Sequence, residues 1–151
     1  MTMTTTSYEQ ELERSGRILI TIKGISMRPL FHSDTDAILV EKRPPEKLGD
    51  LDIVLFKRGV QYVLHRIVGK RPDGRYIIAG DNCMDADIVR PEDILGVVIA
   101  AQRSGKPIKL EGIRYSLYET LWCRPYRFRF VVLRCRALAK RTAKKILRRS
   151  N

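Results

Sequence analysis

Long apolar runs are missing from this chain. No stretch approaches the roughly 20 consecutive apolar residues that a membrane-spanning helix requires. The segment from Met1 to Gly16 has no apolar core of the kind a secretory signal carries. Cysteine is scarce: the 3 in 151 residues are Cys83, Cys123 and Cys135. They are odd in number and without C-x-x-C spacing, which argues against both a disulfide framework and a zinc site. No metal or other cofactor is expected, and few unpatterned cysteines fit a reducing compartment. Histidine is scarcer still, with 2 residues, His32 and His65. Acidic residues stop at Glu119. Residues 120–151 hold 11 Lys/Arg and no Asp/Glu, against 18 Lys/Arg and 17 Asp/Glu before them. The formal charge of +12 therefore belongs almost entirely to the C-terminal segment, and a segment so basic answers to something anionic.

What is present reads as one domain of mainly β structure. Arg17–Lys23, Ala37–Glu41, Leu51–Lys57, Gln61–Val68, Tyr76–Ala79 and Ile94–Ala101 are short segments rich in apolar and β-branched residues, and a last short strand is expected near Ile108. Pro44-Pro45, Arg58-Gly59, Pro72-Asp73-Gly74 and Ser104-Gly105 punctuate them as turns. Strands at this spacing predict a compact antiparallel sheet or a partly closed barrel. The absence of β-α-β alternation argues against a doubly wound nucleotide-binding fold. Three regions follow: a flexible tail over 1–16, a β domain over 17–111, and a basic helical segment over 112–151. In the last, Tyr115, Leu117, Tyr118, Leu121 and Trp122 recur at helical spacing. Beyond Pro125 a second helix is expected to turn Val131, Leu133, Leu138 and Ile146 toward one side.

Three short elements carry residues suited to chemistry. Gly24-Ile25-Ser26-Met27-Arg28-Pro29 sets a serine just past a strand, between a glycine and a proline. Tyr62–Gly69 holds His65 in mid-strand, on the face of Val63 and Ile67, with Arg66 on the other face. Ala79–Asp87 is a loop bearing Asp81, Asp85 and Asp87. A serine becomes a useful nucleophile when a base takes its proton and N–H groups receive the developing oxyanion. A carboxylate that orients the histidine completes such a set.

In this order, Gly-x-Ser-Met-x-Pro, then Gly49-Asp50 with Ile53, Val54 and Phe56, then the His65-Arg66-Ile67 strand, then Gly80-Asp81-Asn82, the chain resembles the signal-peptidase and LexA-like serine peptidase superfamily over residues 17–101. A histidine in the base position is similar to the archaeal and endoplasmic-reticulum branch, where other branches use lysine. The resemblance implies a fold of the signal-peptidase type and a serine endopeptidase that processes a peptide or precursor protein. It implies Ser26 as nucleophile, His65 as general base, and Asp81 and Asp87 as its supports, with Asp85 a competitor. It also implies an oxyanion and substrate site around Gly24, Ile25, Met27 and Val63. At Gly24 many relatives have a hydroxyl residue instead. That substitution leaves room for an alternative reading, an inactive peptidase-like module that binds peptides at a membrane surface.

The basic segment is expected on an anionic membrane surface, through Trp122, Arg124, Arg127, Arg134 and Lys144 among others. Localisation is expected to be cytoplasmic or peripheral on the cytoplasmic membrane face, with no signal peptide and no transmembrane helix. Nucleic acid is the less favoured partner: the residues ahead of Arg17 are too few for the helix-turn-helix that LexA-like repressors place there.

Overall fold

The computed structural model describes residues 8–147, and the side chains of residues 8–143. A helix α1 (Tyr8–Ser15) precedes strands β1 (Arg17–Thr21), β2 (Asp36–Glu41), β3 (Ile53–Arg58), β4 (Gln61–Lys70), β5 (Tyr76–Ala79), β6 (Asp87–Val89), β7 (Ile94–Arg103) and β8 (Lys106–Pro107). Helix α2 (Ile113–Tyr118), a π-helical turn (Glu119–Cys123) and helix α3 (Tyr126–Leu147) follow. The 8 strands form one sheet in the order β1-β2-β7-β3-β4-β5-β6, with β8 paired to β7. Every pairing is antiparallel. The sheet does not close on itself: β1 and β6 are its two ends.

The central strand β3 explains why the sequence Ile53-Val54-Leu55-Phe56 is unbroken by polar residues. Side chains alternate across a strand, and here both faces are covered. Ile53 and Leu55 enter one core with Leu12, Ile22, Met27, Phe31, Ile38 and Val40. Val54 and Phe56 enter a second core with Ile67, Tyr76, Ile78, Val89 and Ile94. Burying any one of these side chains fully is worth about 1.5–3 kcal/mol, so register slippage of β3 is strongly opposed.

Three expectations are corrected. The flexible tail over 1–16 gives way, for residues 8–16, to helix α1, which buries Leu12 in the first core. It is stapled by Glu9 to Lys57 at 2.7 Å and by Glu13 to Lys42 at 2.6 Å, and stopped by Gly16 at φ +73°. Residues 1–7 lie outside the described residues. Strand β6 lies within an aspartate-rich stretch that reads as loop; pairing with β5 over Asp87–Val89 makes it a strand. In α3, Leu133 is buried whereas Val131 and Leu138 face solvent, so these residues do not share one side, and the Ile146 side chain lies outside the described residues.

The loop between β1 and β2, which carries Ser26, is fixed from below by Asp36. This carboxylate receives Arg103 Nε and Nη2, each at 2.8 Å, and the His32 N–H at 2.8 Å. Arg103 also donates to the Leu30 carbonyl at 2.9 Å. The Arg103 hydrogen bonds hold the Asp36 carboxyl down at about 2, against an ordinary 3.8. A depressed carboxyl stabilises the fold above its unfolded pKa and loses that contribution as pH falls through the folded value. Each pKa unit corresponds to ~1.4 kcal/mol, and solvent around the half-exposed Arg103 reduces the total, so about 1–2 kcal/mol is at stake. Asp36→Asn should lower stability at pH 7 by that amount and flatten the loss of stability between about pH 4 and pH 2, as read by denaturant titration at each pH.

Candidate active site

Ser26 lies in the turn that follows β1. Gly24 adopts φ +82°, a conformation that resists side chains, and directs the chain out of the strand. Arg28 N–H donates to the Ile25 carbonyl at 3.2 Å and Phe31 N–H to the Met27 carbonyl at 3.0 Å, so the turn winds tightly around Ser26. The Gly80-Asp81-Asn82 loop locks this turn from the side. Asn82 N–H donates to the Ser26 carbonyl at 2.7 Å, and its side-chain amide donates to the Ile25 carbonyl at 3.2 Å.

His65 projects from the middle of β4, opposite Val54 of β3. It is 6% exposed, with the Phe56 ring 6.1 Å away. The sequence therefore places a titratable ring against an apolar wall. Its two nitrogens have different surroundings. Nδ1 faces Asp87 Oδ2 at 3.6 Å, slightly beyond a hydrogen bond, and has no hydrogen-bond partner. Nε2 faces the Ser26 turn: a Cβ built on Gly80 would lie 2.9 Å from Nε2, 2.7 Å from the Ser26 carbonyl oxygen and 2.6 Å from Cys83 Sγ. Gly80 is thus the gap through which Ser26, His65 and Cys83 converge. The Ser26 hydroxyl makes no hydrogen bond among the described residues. Catalytic hydrogen bonds commonly tighten only when substrate is bound.

Burial lowers the pKa of His65; Asp87 opposes this, while Arg58 adds to it. Arg58 donates to both oxygens of Asp87 at 3.2 Å, so it also draws on the carboxylate that faces the ring. The imidazole is accordingly neutral near pH 7, the form that can accept a proton.

The other candidate residues divide clearly. Ile20, Thr21, Ile22, Lys23, Ser26, Met27, Val63 and His65 line one groove of about 480 Å³, with Tyr62 and Leu64 on the β4 side. Met27 reaches this groove but is mainly core, at 3% exposure. Gly24 and Ile25 stand outside the lining, and Ile25 is exposed. Asp85 also borders the groove, yet it is Asp87 that faces Nδ1.

Asp87 faces the imidazole, whereas Asp81 does not. The resemblance makes Asp81 a support of His65. Its oxygens are instead taken by Arg66, through Nε at 3.0 Å and Nη2 at 2.9 Å, and by Tyr118 Oη at 2.8 Å. Arg129 Nη1 lies 3.7 Å away, and the Cys123 thiol donates across 3.7 Å. Asp81, Arg66 and Arg129 are all buried. Asp81 reaches His65 by charge alone, more weakly than Asp87. Its role is to hold the loop that holds Ser26.

The basic segment completes this arrangement, which its composition does not foretell. Trp122 Nε1 donates to the Asp81 carbonyl at 2.9 Å and Arg129 Nη2 to the Gly80 carbonyl at 3.1 Å. Burial and Asp81 push the Tyr118 phenol upward and the Cys123 thiol up to about 12, so both stay protonated as donors. Trp122 is half-buried, with its indole N–H tied to this loop. Arg124, Arg127 and Arg134 are exposed; the Lys144 side chain lies outside the described residues. Cysteine spacing also gave no hint that Cys83 Sγ would stand 3.8 Å from His65 Nε2. Among the described residues no group of His, Cys, Asp and Glu is arranged to hold a metal ion, and no helix is long and apolar enough to cross a membrane.

Two measurements check this geometry. In a proton NMR titration, His65 should titrate below 6.5, lower still in Asp87→Asn and higher in Arg58→Gln. Gly80→Ala forces a methyl group into backbone and ring atoms under 3.0 Å away, so it should cost about 1–3 kcal/mol of stability and shift the His65 and Ser26 resonances; unchanged spectra would contradict the close approach. Comparison of the chain with family models, with curated proteins and with solved structures finds no match.

Proposed function

We propose that the chain is a serine endopeptidase of the signal-peptidase type, which cleaves a peptide or precursor protein with Ser26 as nucleophile and His65 as general base. The observation that carries this reading is the two-sided setting of His65, with Asp87 at Nδ1 and the Ser26 turn at Nε2. An extended substrate in the groove beside Thr21–Lys23 and Tyr62–Leu64 brings a carbonyl carbon to Ser26. Ser26 Oγ attacks that carbon while its proton passes to His65 Nε2. The imidazolium is stabilised by Asp87 through Nδ1–H, and the Ser26 backbone N–H receives the oxyanion. Nε2–H then protonates the leaving amine as the C–N bond breaks. Water, deprotonated by the same nitrogen, releases the acyl group from Ser26.

The Cys83 contact favours a second reading, attack by the thiolate. Burial and then Asp85 raise the Cys83 pKa, which leaves little of the nucleophilic form. Serine is therefore the better assignment.

The test is cleavage of a pool of candidate precursor peptides by the purified chain, read by mass spectrometry. Ser26→Ala and His65→Ala should each reduce cleavage by roughly 10⁴-fold, while Cys83→Ala retains it. Loss in Cys83→Ala with retention in Ser26→Ala would exchange the nucleophiles. Undiminished cleavage by both Ser26→Ala and Cys83→Ala would remove the peptidase assignment altogether.

A further inference from the structure

Helix α3 buries one face against the body and leaves a second, apolar face uncovered, where a helix packed on one domain turns polar residues outward. Its inner face carries Arg129, which is 1% exposed, and Leu133, which is 9% exposed, against the body of the protein. Phe128, Val131, Cys135 and Leu138 recur at helical spacing on the outer side. Phe128 is 67%, Val131 55% and Leu138 60% exposed, and Cys135 is an exposed free thiol. Leu121, in the preceding π-helical turn, is 69% exposed. Arg127, Arg134 and Arg141, spaced by whole heptads, run along one flank of this stripe, and all three are exposed. Arg136, also exposed, lies on the other flank.

We infer that the outer face of α3 lies in the surface plane of an anionic lipid bilayer, with Leu121, Phe128, Val131 and Leu138 among the acyl chains and the flanking arginines at the headgroups. Three observations select this occupant. The 22-residue helix is too charged to span a membrane, which leaves the in-plane orientation that amphipathic basic helices adopt. A second copy would oppose two segments that each carry 11 Lys/Arg and no acid over residues 120–151, and like charges resist that pairing. Nucleic acid would engage the arginines but leave Phe128, Val131 and Leu138 in water. Unlike an external patch, this surface is rigidly tied to the body, since the inner face of the same helix donates to the Gly80 carbonyl. The inference is independent of the chemistry at Ser26, and its test reads binding, not cleavage.

The experiment is co-sedimentation of the full chain with vesicles of phosphatidylcholine alone and of phosphatidylcholine mixed with phosphatidylglycerol. Binding should require phosphatidylglycerol and weaken as salt is raised. The triple change Phe128→Ser, Val131→Ser and Leu138→Ser should weaken it at least tenfold, as should Arg127→Gln, Arg134→Gln and Arg141→Gln together, with circular dichroism unchanged. Independently of any substitution, bound vesicles should slow addition of the Cys135 thiol across the double bond of a water-soluble maleimide, located by peptide mapping. Absent binding to the anionic vesicles, binding unaltered by the apolar triple change, or an unchanged Cys135 rate on vesicles would each overturn the inference. So would a dimer in light scattering that the apolar triple change dissociates, because the stripe would then be covered by a second copy.

Discussion

The buried pairing of Arg66 with Asp81 is the constraint on which the site rests. Neither side chain has measurable exposure, and a carboxylate and guanidinium removed from water are tolerated only when their remaining hydrogen bonds are met. Here six further groups meet them. Arg66 reaches the Leu51 carbonyl, Tyr115 and Glu119 as well as Asp81; Asp81 reaches Tyr118, Cys123 and Arg129. Removing one partner from a pair of this kind costs about 3–5 kcal/mol, because the other charge is left stranded. The same requirement for saturation opposes movement of the loop. Gly80 and Asn82, on either side of Asp81, then stand where the Ser26 turn needs them. An electrostatic demand at one residue thereby becomes positional accuracy at its neighbours.

His65 sits on the adjoining strand position, and alternation along β4 gives it the opposite environment to Arg66. The arginine is saturated with partners, whereas one ring nitrogen of the histidine has none. Burial alone would make a neutral but poorly oriented imidazole. Asp87 supplies direction, and Arg58 moderates it by sharing the carboxylate. Arg58 on β3 and Asp87 on β6, 29 residues apart in the chain, thus set the basicity of a single ring on β4.

Much of the β architecture was legible because β3 and its neighbours are patterned so plainly: Gly/Pro turns bracket apolar segments, and Tyr76–Ala79 agrees at both ends with the observed strand. The meeting of the Ser26 turn, the His65 strand and the Gly80-Asp81-Asn82 loop was expected only through the resemblance that those motifs carry. What was not legible depended on contacts across long separations. Nothing local distinguishes Asp81, consumed by Arg66, from Asp87, which faces the imidazole. The short β6 is a strand because β5 offers it an edge, not because its residues favour one. Arg129 looks like one more cation in a basic run, and its burial becomes visible only when the Gly80 carbonyl is found beneath it. Helix α1 was hidden for a similar reason, since one buried leucine and two salt bridges to distant lysines hold it in place.

The hydrogen bonds from Trp122 and Arg129 to the Asp81 and Gly80 carbonyls have a consequence in time. A chain emerging from the ribosome exposes its N-terminal segments first. The turn bearing Ser26 and the strand bearing His65 therefore leave the tunnel before the residues that brace the Gly80-Asp81-Asn82 loop. Until α2, the π-helical turn and the start of α3 arrive, Asp81 lacks Tyr118, Cys123 and Arg129, and the two carbonyls lack their donors. The site is finished only then, although the side chains at its centre are made well before its braces.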